Sequence, residues 1–86
     1  MILKDEDQQA IRQAVERMRP LTVDLALSKQ LFALSEHRNL SKQLKGLLID
    51  CSFYTAGMFE ESPRYKGFDL NVIRGQIESI LPKKAA

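Results

Sequence analysis

Apolar side chains recur at three- and four-residue steps through most of this 86-residue chain, the signature of helices that bury one face. The longest such run is Leu40, Leu44, Leu47, Leu48, Cys51, Tyr54 and Met58. It predicts a core helix over Leu40 to Glu60, with Asn39 or Ser41 as its cap. Gly46 inside this helix costs roughly 1 kcal/mol relative to alanine without breaking it. Ile49, Phe53 and Phe59 fall off the main stripe, so the helix is expected to be apolar on more than one side and to lie between neighbours or at a subunit contact.

Two flanking helices follow from the same spacing. Ile11, Ala14, Val15 and Met18 mark one face over Lys4 to Arg19. Asp5, Glu6 and Asp7 at its start and Arg17 and Arg19 at its end complement the helix dipole, and Pro20 stops it. Near the far end, Asp69 can cap a helix whose inner face is Leu70, Ile73, Ile77, Ile80 and Leu81, with Pro82 as its stop. Glu60 to Phe68, with Ser62-Pro63 and Lys66-Gly67, reads as the one substantial loop.

The stretch after Pro20 supports two periods. Leu21, Val23, Leu25 and Leu27 alternate with polar or small residues as in a half-buried strand. The run then continues through Lys29, Gln30, Leu31, Phe32, Ala33 and Leu34 without a turn signal, in residues that favour helix. A helix over Thr22 to Arg38 is therefore expected, with Thr22 as N-cap, His37 and Arg38 in the last turn and Asn39 as a left-handed exit. The fold class that results is all-α, a small four-helix antiparallel bundle forming one domain over residues 1–86. The alternative is α+β, with one strand at 21–27 and a second near 53–59.

Composition changes this picture in two ways. A chain this short buries only about 60% of its unfolded surface, so modest monomer stability and self-association are expected. Cys51 is the only cysteine, which excludes an internal disulfide and any Cys-x-x-Cys motif and fits a reducing, cytoplasmic address. The net charge of +2, from 13 basic and 11 acidic residues, does not by itself point to nucleic acid or to an anionic membrane. No apolar run reaches the ~20 residues that span a bilayer, and the acidic start from Asp5 to Asp7 is unlike a signal peptide, so no membrane association is expected.

Candidate chemistry is sparse. His37 and Cys51 could in principle form an activated thiol pair, but Cys51 lies on the apolar stripe of the third helix, where cysteine behaves as a small hydrophobe. The acidic residues cluster at a helix start and before a loop, where capping explains them. Gly46, Gly57, Gly67 and Gly75 match no phosphate-binding loop, and one histidine with one cysteine makes a poor metal set. No catalytic residue, cofactor or metal is therefore expected, with a Cys51-dependent activity as the alternative.

Two surfaces remain. Arg64, Tyr65, Lys66 and Phe68 combine the residue types of binding hot spots in one loop and form the candidate partner-binding set; the competing reading is that the aromatics fold back over the core. Arg38, Lys42 and Lys45 recur near the start of the third helix and form a candidate anion-binding face, with a solvated basic face as its competitor. The expected function is a non-catalytic protein-interaction module, such as a small regulator, inhibitor or assembly subunit, acting on a protein partner or as a homo-oligomer. A nucleic-acid-binding regulator using the basic face is the alternative.

Overall fold

Three of the helices begin where a side chain accepts a free N–H of the first turn, and this fixes boundaries that apolar spacing leaves loose. The computed structural model describes residues 3–81 and contains five helices among them: α1 (Asp5–Glu16), α2 (Leu25–Ser35), α3 (Lys42–Thr55), the short α4 (Pro63–Lys66) and α5 (Leu70–Ile80). The Asp24 carboxylate accepts from Leu27 N–H at 3.0 Å, Ser41 Oγ from Leu44 N–H at 3.2 Å and Asp69 Oδ1 from Asn71 N–H at 2.9 Å. Ser41 and Asp69 are thus the caps that the sequence suggests. For α2 the cap is Asp24 and not Thr22, whose hydroxyl instead donates to the Pro20 carbonyl at 3.0 Å.

The all-α class holds, and the α+β alternative fails: no strand occurs among the described residues. Residues 22–24 have no regular secondary structure, and Asp24, itself in extended backbone, donates its N–H to the Thr55 carbonyl at 2.9 Å before helix begins. The other proposed strand, near 53–59, is the end of α3 followed by a 3₁₀ turn at Met58–Glu60. Asn39 does not take a left-handed exit, because Leu21 is the one non-glycine with positive φ among the described residues and α2 leaves through Glu36 in helical geometry.

The third helix is shorter than its apolar stripe. Gly57 takes φ of 101°, a left-handed conformation open to glycine, and ends the helix. A Cβ there would also sit 3.1 Å from Val23 Cγ2. Met58 is consequently exposed, whereas Phe59 turns inward and is buried. The Pro82 stop of α5 lies outside the described residues.

Polar contacts between elements show the topology. Asp24 meets Thr55, and Ser28 Oγ donates to the Ser52 carbonyl at 2.7 Å, so α2 and α3 run antiparallel and are closely apposed through small side chains. Arg17 contacts Gln30 and His37 contacts Asp7, giving antiparallel α1 and α2. Arg12 pairs with Glu78 and Arg74 reaches the end of α1, giving antiparallel α1 and α5. The shared core includes Ile11, Met18, Leu27, Leu31, Leu48 and Ile77. At one end an aromatic group closes it: the Tyr54 ring lies 5.0 Å from Phe59 and 5.2 Å from Phe68, and Tyr65 meets Phe68 edge-on at 5.7 Å.

Candidate interaction surface

Of the candidate partner-binding set, the structure keeps Arg64 and Lys66 at the surface and turns the two aromatic residues inward. Tyr65 is 6% exposed, Phe68 is half-buried, and both belong to the aromatic closure of the core. Tyr65 Oη donates to Asp50 Oδ1 at 3.0 Å, and the Arg64 guanidinium contacts both oxygens of the same carboxylate at 3.1 and 3.0 Å while lying 5.4 Å from the Tyr65 ring centre. Burial, followed by the hydrogen bond to Asp50, pushes the Tyr65 phenol above its ordinary range. Lys66 is exposed beside them. Arg64 and Tyr65 tie α4 to α3 through Asp50.

The basic set is solvent-facing but divided. Arg38, Lys42 and Lys45 are all exposed. Arg38 lines a hollow of about 570 Å³ together with Lys4, Glu6, Asp7, Glu36 and His37, so three carboxylates and a second cation share its surroundings. His37 is engaged there on both ring nitrogens: Nδ1 accepts the Asn39 N–H at 3.1 Å and Nε2 lies 3.0 Å from Asp7 Oδ2. An accepting Nδ1 places the ring proton on Nε2, where it donates to Asp7.

Cys51 is wholly buried, and desolvation together with the neighbouring Asp50 charge outweighs the lowering effect of Arg74, so the thiol is pushed up to about 12. It is protonated at neutral pH and has no route to an external electrophile without opening of the core. Among the described residues no three of His, Cys, Asp and Glu come together as a metal-binding group. No helix among them is long and apolar enough to cross a membrane.

A second hollow, of about 440 Å³, is lined by Leu21, Tyr54, Lys66, Asn71 and Arg74. Its principal polar groups already serve the fold. Tyr54 Oη accepts the Leu21 N–H at 2.8 Å, and Arg74 donates to the carbonyls of Val15, Glu16 and Met18. This hollow is a seam between elements.

The outward side of the α2–α3 pair is different in kind. A groove of about 520 Å³ runs between the two helices, lined by Lys29, Phe32, Ala33 and Glu36 from one side and by Phe53 and Ala56 from the other. Phe32 is 44% exposed and Phe53 41%, and Leu25, on the same stripe of α2 as Phe32, is 61% exposed. Neither ring has an aromatic partner among the described residues. Off-stripe position marks Phe53 in the sequence as surplus apolar surface; Phe32 carries no such mark, because α2 is apolar on several sides and its inner face is not evident from spacing.

No protein-family model, curated protein or solved structure matches this chain. Among the described residues, the two exposed aromatic rings, Phe32 and Phe53, lie together in this groove.

Proposed function

We propose that the chain is a non-catalytic protein-interaction module, a small regulator, inhibitor or assembly subunit that works by burying the outward α2–α3 face against another protein surface. The observation that carries this reading is the pair Phe32 and Phe53, two half-exposed aromatic rings lining one apolar groove on packed, antiparallel helices. Rings of this size contribute most when fully removed from water, and aromatic anchors in well-packed pockets dominate interface energetics. Rigid helices also hold the groove in shape before binding, which lowers the ordering cost of association.

Site-directed photo-crosslinking tests this. A photoreactive phenylalanine analogue at position 32, introduced in the source cell, is expected to give a discrete adduct that is lost when Phe53→Glu is added. The same probe at exposed Gln13 on α1 serves as the control. Labelling at 32 no more discrete than at 13 would overturn the reading.

Nucleic-acid binding through Arg38, Lys42 and Lys45 is the second reading, favoured by their exposure near the positive end of α3 and weakened by the carboxylates around Arg38. It requires retention on DNA or RNA that falls steeply with salt and is lost on charge reversal at Lys42 and Lys45.

A further inference from the structure

On α2, Leu25, Lys29, Phe32 and Glu36 follow one another at steps of four, three and four, which places them within about 60° of arc on the helix surface. All four are exposed, and α2 geometry continues into Glu36. Lys29 and Glu36 carry opposite charges on either side of Phe32 and are about 10 Å apart along the axis, beyond the reach of an ion pair with each other. Neither forms an ion pair with any other described residue.

From this arrangement we infer that the outward α2–α3 face pairs with a second copy of the same chain, α2 against α2 and antiparallel, about a two-fold axis beside Phe32. The inference rests on the interaction reading above and names its partner. A two-fold interface must be complementary to itself, so that whatever residue i touches, its equivalent touches residue i in return. In this register Lys29 of each copy faces Glu36 of the other, the two Phe32 rings meet at the centre, and the Phe53 side of each groove receives apolar surface from the opposite α2. An unrelated partner would not require opposite charges placed symmetrically about one central ring. The small core of a chain this short gives the same result an energetic motive, because pairing removes exposed aromatic surface from water.

Sedimentation equilibrium of the full chain over a dilution series, with a charge-swap set, tests the proposal. The wild type is expected to be a dimer that dissociates on dilution, and Phe32→Glu to be monomeric with unchanged helical circular dichroism. Lys29→Glu and Glu36→Lys each turn two attractive contacts into repulsive ones and are expected to weaken dimerisation roughly tenfold or more. An equimolar mixture of these two variants should recover a heterodimer, and the double variant Lys29→Glu/Glu36→Lys should recover the homodimer. A purely structural role for either residue would produce no such rescue.

A monomeric wild type at several hundred micromolar overturns self-pairing, while a photo-adduct to a different protein would in that case leave the interaction reading standing. A dimer indifferent to Phe32→Glu overturns the assignment to this face. Loss in both single variants without recovery in the mixture overturns the antiparallel register.

Discussion

At the residue scale, Leu21 has a conformation that sequence gives no reason to expect, and Cys51 a property that follows from its burial. Leu21 holds φ of 50° with its side chain 63% exposed. A branched residue in the left-handed region costs on the order of 1 kcal/mol, and the Tyr54 hydroxyl holds the conformation by accepting the Leu21 N–H. Leu21→Asn is therefore expected to leave stability unchanged or raise it by up to about 1 kcal/mol, read from the midpoint of urea unfolding; a loss of that size would show that the backbone there is not strained. Cys51 supplies a pH signature. Its thiol ionises at an ordinary 9.0 when exposed and at about 12 in the folded chain, so the folded state holds the proton that the unfolded state releases. The stabilisation is complete below pH 9 and is lost as pH rises toward 12, an effect of roughly 4 kcal/mol at most. Cys51→Ala should flatten this alkaline limb, although it lowers stability at neutral pH; an equally steep limb in the variant would place the cause elsewhere. Tyr65, raised in the same direction, steepens the fall above its own ordinary range and persists in that variant.

At the element scale, α1 depends on α5 for its ending. Arg74 Nε donates to the Val15 carbonyl at 3.1 Å, and Nη2 donates to those of Glu16 and Met18. One planar guanidinium thus gathers three carbonyls at the helix end, of which that of Val15 also accepts the Met18 N–H at 3.3 Å, and it places a positive charge at the negative end of the dipole. Arg74→Ala is expected to cost about 2 kcal/mol or more, and Arg74→Lys to recover less than half because an ammonium cannot span the same fork of acceptors. Full recovery by lysine in denaturant unfolding would reduce the role of Arg74 to charge alone. Nothing in the spacing of α5 separates Arg74 from any other solvent-facing cation, so this tie was not legible in the sequence. The inner faces were: Ile11, Ala14 and Val15 in α1, Leu44, Leu48, Cys51 and Tyr54 in α3, and Leu70, Ile73 and Ile77 in α5 are all buried. The start of α2 was not, because alternation from Leu21 to Leu27 matches both a strand and a loop leading into a helix. Leu21, Val23 and Leu25 turn out to be exposed, so their period reports neither core.

At the scale of the whole molecule, the side that matters most for the proposed function was only half visible in the sequence. Phe53 stood out by lying off the α3 stripe and is exposed beside Phe32, whereas Ile49, marked in the same way, is half-buried and Phe59 joins the core. Arg64, Tyr65, Lys66 and Phe68 stood out by composition, yet aromatic residues serve a hot spot or the closure of a core, and contacts with Asp50 and Tyr54 commit Tyr65 and Phe68 to closure here while Arg64 and Lys66 stay exposed. The distinction depends on where α4 lies, which no local spacing encodes. Hydroxyl-radical footprinting compares the relevant exposures directly, in the source cell and in the dilute purified chain. If the outward α2–α3 face works as an interface, Phe32 and Phe53 are protected in the cell relative to the dilute chain, while Val72 on α5, 54% exposed, is oxidised equally in both. Equal oxidation of Phe32 and Phe53 in the two settings would contradict it.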